Sequence, residues 1–330
     1  MYRNAVQVNR NVSFKLTAMW CVCIMIRDRW GGHPDNSNRP TPLRRRTEEI
    51  CPMVEIRGIE FQSNTDNDMG LEFYNLSHRY GFQCPNWPYF KDVQIDRKHY
   101  MAKSGVLSQT ITTTMHVTTH IDAPAHVVQG TPFIDEVPLP HFFGSGLVVS
   151  VPKKKWEQIT GDDLEKACGH AIRKGDVLII NTGWHKQYED GDYFAYCPGL
   201  VPSAAEWMIE KGVKVVGHDT QANDHPLATA IGPQRNGPIM PHLEKEYLEW
   251  SGGTPWEVDF PEWEPVHNML FSKGILGIEN VGGDLDAVTG KRCTFAFFPW
   301  NWDRGDGCII RLVAMIDKNQ SYRIEAGEDF

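Results

Sequence analysis

The chain has 330 residues, 41% hydrophobic and 23% charged, an ordinary globular composition long enough for one large domain or two small ones. A net charge of -9 and a pI near 5.8 argue against an electrostatic footprint for nucleic acid. Eight cysteines without a C-x-x-C pair argue against a zinc ribbon or a thioredoxin-type motif, and they read as reduced, buried thiols of a cytoplasmic protein.

The N-terminal arm comes first in chain order. Residues 1–46 carry eight Arg and one Lys against two Asp, a local charge of 9 − 2 = +7, which leaves −16 for the remainder. Within it, "LTAMWCVCIMI" offers eleven apolar-leaning residues, whereas a membrane span needs about 20, so no crossing is expected. An Arg-rich, acid-poor arm reads either as an organelle-targeting segment or as a disordered extension, and no cleavage signal is evident. "RPTPLRRRTEE" (39–49) has the prolines and charges of a linker. Residues 1–60 are therefore expected to be a basic extension and 61–330 one domain, with no internal repeat and no second linker.

Further along, "VLSQTITTTMHV" is β-branched and extended, and "GLVVSV" and "DVLIINTGW" are short apolar runs suited to buried strands. "TGDDLEKACGHAI" opens with Thr160 as N-cap, followed by Asp162, Asp163 and Glu165, which favours a helix start. "PSAAEWMIEKG" predicts a helix with Pro202 near its start and Gly212 as its stop, feeding the strand "VKVVGHD". "ANDHPLATAIGPQRNGPIMP" is long for a loop, and loops of that length are often functional. "PVHNMLFSKG" followed by "ILGIEN" repeats the helix-then-strand arrangement, and "CTFAFFPW" and "GCIIRLVAMI" read as closing strands. Strands interleaved with helices predict an α/β domain with a mixed sheet flanked by helices.

"HVTTHIDAPAH" (116–126) carries the chemistry. His116, His120 and Asp122 share one face of an extended chain, but at about 3.3 Å per residue the two imidazoles would stand about 13 Å apart. Ligands of one ion, each about 2 Å from it, cannot be so distant. The chain must curl, and Pro124 with the β-branched Val117, Thr118 and Thr119 disfavours a helix as the means. The expectation is a strand ending near His116 and a tight curl holding His120 and Asp122, a 2-His-1-carboxylate set at a strand end. His126, past the rigid Ala123-Pro124, would overhang the ion without ligating it, where a general acid or base is needed. The bland alternative is histidines that cap strand ends and bond to backbone.

The stretch resembles the signature H-x-G-T-H-x-D-x-P-x-H of the metal-dependent cyclase-type hydrolases, the group of bacterial kynurenine formamidase and isatin hydrolase. It is matched by His116, Thr119, His120, Asp122, Pro124 and His126; Thr118 stands where the family has glycine, which bears on ligand geometry and pocket width. "FYNLSHRYGFQCPNWPYF" (73–90) is similar to the family's opening strand and W-P segment, "VKVVGHDTQANDHP" to a later strand and loop, and "VHNMLFSKGILGIENV" to the segment that supplies a histidine and a glutamate twelve apart, here His267 and Glu279. Coverage runs from about residue 61 to 330.

The resemblance implies a swivelling β/β/α-like single domain that hydrolyses an amide, cyclic amide or lactone. His116, His120 and Asp122 would hold one Zn²⁺ or Mn²⁺; Asp122, His267 and Glu279 a second, with Asp122 bridging. His126 would serve as general acid and base, and Trp87 and Phe90 would wall a planar substrate. His218, Asp224 and His225 are candidates for extra ligands or substrate contacts, whereas Asp219 reads as a turn organiser. The expected partners are a small-molecule substrate and further copies of the chain, as homodimer or homotetramer, with no nucleic acid and no membrane; the expected location is cytoplasmic, or an organelle if the arm targets. Two other readings keep the metal: a non-haem iron oxygenase on the same triad, and a metal-stabilised binding protein without turnover.

Overall fold

A computed structural model of the protein describes residues 61–233 and 238–320. The basic arm, its apolar stretch and the Pro-rich linker lie outside these residues, as do the expectations attached to them. The first elements are β1 (Glu72–Asn75), β2 (Gln94–His99), α1 (Met101–Ser104), β3 (Ser108–Thr112), β4 (His120–Asp122), β5 (Phe143–Ser150), β6 (Gln158–Ile159), α2 (Gly161–Cys168), β7 (Val177–Asn181) and α3 (Tyr193–Tyr196). They are followed by β8 (Gly199–Leu200), α4 (Pro202–Lys211), β9 (Val215–His218), α5 (Leu243–Trp250), α6 (Trp256–Asp259), α7 (Pro265–Phe271), β10 (Leu276–Glu279), α8 (Leu285–Val288), β11 (Arg292–Ala296), β12 (Gly307–Ile309) and β13 (Val313–Ile316).

Nine strands form one mixed sheet in the order β1-β13-β11-β5-β7-β9-β10-β4-β12. The central four, β5, β7, β9 and β10, run parallel, and the outer pairings are antiparallel. The order itself requires the sheet to curl. β12 and β13 lie seven strand steps apart, about 34 Å across a flat sheet at ~4.8 Å per step, yet only residues 310–312 connect them, a reach of at most about 14 Å. One apolar cluster accordingly draws on eight of the nine strands, among them Ile121, Val148, Ile179, Val215, Ile278 and Phe295, with Tyr74 of β1 packed against it. This is the interior of a half-barrel.

The other face of the parallel strands carries helices. Leu147, Val149, Leu178, Ile180 and Val216 pack against Leu164 of α2, Met208 of α4 and Leu270 of α7. Burial on both faces explains why these strands read as continuous apolar runs rather than as alternating ones. Truncating a residue of this core such as Ile179 to Ala costs about 2–5 kcal/mol. The helix signals act as the sequence predicts. Thr160 caps α2 in a reciprocal box with Asp163, Pro202 opens α4, and Gly212 closes it at φ 68°.

Two strand expectations are corrected. β3 stops at Thr112 rather than near His116. "GCIIRLVAMI" forms two strands on opposite sides of the sheet order, not one. Among the described residues no helix is long and apolar enough to cross a membrane.

Candidate metal centre

The curl expected between His116 and His120 exists, over residues 115–119, but His120 and Asp122 belong to the strand that follows it rather than to the curl. Its pivot is Thr118 at φ 53°, a left-handed conformation that costs a side-chain-bearing residue about 1–2 kcal/mol. The position therefore has the backbone of a glycine. In this conformation the Thr118 carbonyl accepts a 2.8 Å hydrogen bond from Nδ1 of His120.

Strand pairing assembles the rest. Ile121 points into the interior core, so its neighbours His120 and Asp122 face the opposite side of the sheet. In register, Glu279 of β10 lies opposite His120, and Gly307 of β12 lies opposite Asp122; opposed residues hold their Cβ atoms within about 5.5 Å. Glu279 closes β10 next to the carboxyl end of β9, the end of an α/β sheet where ligand sites form. His267, third residue of α7, completes the group. Gly307 is required by proximity, because a Cβ there would lie 2.8 Å from Cε1 of His116.

The five side chains converge as two triplets that share Asp122. His116, His120 and Asp122 form one and Asp122, His267 and Glu279 the other, with the potential ligand atoms of each within 4.8 Å of one another. His116 Nδ1 is 2.8 Å and His120 Nε2 3.4 Å from Asp122 Oδ1; His267 Nε2 is 3.7 Å from Asp122 Oδ2 and 3.1 Å from Glu279 Oε1. His120 Nε2 also stands 3.3 Å from Glu279 Oε2. A third triplet, His116, His126 and Asp306, adjoins the first.

Each of the three histidines has its far nitrogen tied. His116 Nε2 meets Asp306 Oδ2 at 3.0 Å, His120 Nδ1 meets the Thr118 carbonyl, and His267 Nδ1 meets Asp224 Oδ2 at 2.6 Å. The remaining nitrogens, His116 Nδ1, His120 Nε2 and His267 Nε2, face the carboxylates. Such outer anchors fix the tautomer and orientation of a metal-binding imidazole. His120 Nε2 supplies the test of fit: it is buried and makes no hydrogen bond among the described residues. An unsatisfied buried nitrogen is costly, and here it lies between two buried carboxylates. The arrangement fits a divalent cation.

The electrostatics agree. Burial opposes charge on Asp122, but His116, His120 and His267 hold it well below the usual carboxylate range. Glu279 is pushed up by burial and by Asp122 and brought down further by the neighbouring His120 and His267. Burial pulls His116 down, yet Asp122 and Asp306 carry it up to about 10. Burial likewise opposes charge on His267, which Asp122, Asp224 and Glu279 raise well above its ordinary value.

His126 stacks on His116 with ring centroids 4.0 Å apart and an interplanar angle of 27°. Its side chain is 31% accessible, whereas the five converging groups are buried. Burial, reinforced by the neighbouring His116 and His267, lowers it to about 4, so the ring is neutral near pH 7. Trp87 packs on Tyr89 and Phe194, and Phe90 on Tyr89.

The other candidates have structural partners. His225 bonds to the Trp156 carbonyl and stacks on Phe260. His218 lies between Thr220 and Asn223. Asp219 accepts from Thr182, Gly183 and His185, the turn organiser expected. Sequence reasoning missed Asp306, which sits in an Asp- and Gly-rich turn without a motif of its own and is placed by β12 pairing with β4. It also missed Asn223, whose backbone N–H and side-chain amide both bond to Glu279.

Residues 74–225 match the family model described as "Putative cyclase". An isatin hydrolase from Roseibium aggregatum is 26% identical over 220 residues, 62% of this chain and 72% of that protein. A kynurenine formamidase from Bordetella petrii is 30% identical over 111 residues, 33% of this chain and 49% of that one. A crystal structure of an isatin hydrolase bound to the product analogue thioisatinate shares the fold, with a TM-score of 0.60 at 20% identity, covering 76% of this chain and 94% of the other. Motif and relatives make the chain similar to the cyclase family of metal-dependent hydrolases over residues 74–225, and its fold is that of an isatin hydrolase.

Proposed function

We propose that the protein hydrolyses an amide, cyclic amide or lactone bond in a small molecule. His116, His120 and Asp122 would hold one divalent ion, Zn²⁺ or Mn²⁺, and Asp122, His267 and Glu279 a second, with Asp122 between them. Such an ion supplies Lewis acidity and makes water nucleophilic near neutral pH. His126 takes the proton of the attacking water as base and delivers it to the leaving nitrogen or oxygen as acid. Trp87 and Phe90, in their aromatic group, are assigned to the substrate wall.

The observation that carries this reading is the position of His126: an accessible, neutral imidazole stacked against the edge of a buried set of metal-ligating groups. The named activities of the two curated relatives support the bond class, since isatin is a cyclic amide and a formamidase cleaves a formamide. An oxygenase would keep three ligands and open positions; His267 and Glu279 crowding the same Asp122 count against it. A homodimer or homotetramer and a cytoplasmic location complete the proposal.

The test is a hydrolysis screen over formyl-anilines, cyclic amides and lactones with Zn²⁺ or Mn²⁺ under nitrogen. The variant His126→Ala is expected to keep its metal content and lose about 10²- to 10⁴-fold in rate. Full activity in that variant removes His126 from catalysis; absence of any hydrolysis by the wild type defeats the reading.

A further inference from the structure

Behind the second triplet lie two adjacent side chains in the loop after β9. Asp224 Oδ2 receives Nδ1 of His267 at 2.6 Å and the His267 backbone N–H at 3.0 Å, while its Oδ1 receives the N–H of Val266 at 2.8 Å. Asn223 donates its backbone N–H at 2.8 Å and its Nδ2 at 3.0 Å to Oε1 of Glu279. Behind Asn223, its Oδ1 meets Nε2 of His218 at 3.1 Å, and Nδ1 of His218 meets the Thr220 hydroxyl at 2.8 Å. Asn223, Asp224, His218 and Thr220 are all buried. Asn223 also lies flat on Gly277, where an added Cβ would stand 2.2 Å from Nδ2. One dipeptide thus grips both a histidine and a glutamate that are distant from it in sequence. His116 and His120 are tied instead by Asp306 and by the Thr118 carbonyl.

We infer that Asn223 and Asp224 are positioning residues dedicated to the half of the centre formed by Asp122, His267 and Glu279, which makes the two ion sites separable. The inference rests on the metal-dependent reading above. Asp224 fixes a proton of His267 on Nδ1, so that Nε2 is turned toward Glu279 Oε1 at 3.1 Å and Asn223 Nδ2 at 3.3 Å, where an ion would be held. Asn223 fixes the rotamer of Glu279 by occupying Oε1 with two donors. Neither residue touches an ion.

Two variants test it, Asp224→Asn and Asn223→Ala, each checked for folding by circular dichroism of the metal-free full-length protein. The amide of Asp224→Asn keeps the volume but places an N–H donor against His267, favouring the tautomer whose proton blocks Nε2. Mn²⁺ and Co²⁺ uptake is measured by equilibrium titration, with the Co²⁺ visible absorption reporting coordination. The wild type should take up two ions. Each variant should keep one at wild-type affinity and bind the other about 10- to 100-fold more weakly, with an altered Co²⁺ spectrum for that ion alone. A general structural role would weaken both ions together and overturns the inference. So does a folded variant that takes up both ions as the wild type does; should Asp224→Asn fail to fold, Asn223→Ala decides. A wild type that binds no divalent ion overturns the hydrolase reading as well, whereas a two-ion wild type with unaffected variants overturns this inference alone.

Discussion

At Thr118 the backbone turns left-handed so that its carbonyl can reach Nδ1 of His120, two residues on. Two magnitudes oppose each other when this residue is replaced by glycine. Relief of the left-handed conformation contributes about 1–2 kcal/mol, and the greater freedom of glycine in the unfolded chain costs about 0.5–1 kcal/mol. Thr118→Gly should therefore change stability by between 0 and about 1.5 kcal/mol in the stabilising direction, measured by urea denaturation, and leave metal affinity unchanged. A tenfold fall in affinity would show that the threonine side chain is itself needed. His116, His120, Asp122 and His126 were legible because four chemical groups sit in eleven consecutive residues and the span of an extended chain forces a curl. The bend between His116 and His120 was legible from that span; that His120 and Asp122 lie in a strand rather than in the curl was not. Asp306 was hidden altogether: its place depends on β12 pairing with β4, a contact across more than 180 residues of chain.

Among the elements, β9 ends in His218, and the carboxylate of the following residue, Asp219, ties that strand end to the turn after β7. Asp219 accepts from the backbone N–H groups of Thr182, Gly183 and His185, from the Thr182 hydroxyl and from His185 Nδ1. Burial would raise its pKa, but the bonds from His185 and Thr182 lower it below the ordinary value. A depressed folded pKa means that its stabilisation is complete above the unfolded value, about 3.9, and is lost as pH falls through the folded one. Asp219→Asn should therefore cost about 2–3 kcal/mol at pH 7 and flatten the loss of stability below about pH 4, read from urea midpoints across pH. A variant with the wild-type acid limb would contradict this. The helices were legible because their signals are local: Thr160 with Asp163, Pro202 with Gly212. The three-residue strand β4 was not, because so short a segment is made a strand by its partners, and the break between β12 and β13 within one apolar run was not legible either.

For the molecule as a whole, sequence pattern sufficed for an α/β class but not for the curl, because strand order is set by pairings such as Glu72 with Ile316 that no local periodicity reports. The centre sits where β4, β10 and β12 meet, with buried carboxylates at Asp122 and Glu279 and an unbonded nitrogen on His120. An ion that binds only the folded state at a hundred times its Kd stabilises by about 2.7 kcal/mol. Chelation should lower the melting temperature by about 5–10 °C, reversibly on readdition of Mn²⁺ or Zn²⁺, by calorimetry; an unchanged transition would refute the coupling. The same three residues between β12 and β13 have an implication for biosynthesis. The floor beneath His116 and its outer carboxylate arrive with residues 306 and 307, and the strand that pairs with β1 arrives later still. Fragments truncated before residue 306 should therefore be unable to retain a divalent ion, read by equilibrium titration with Mn²⁺.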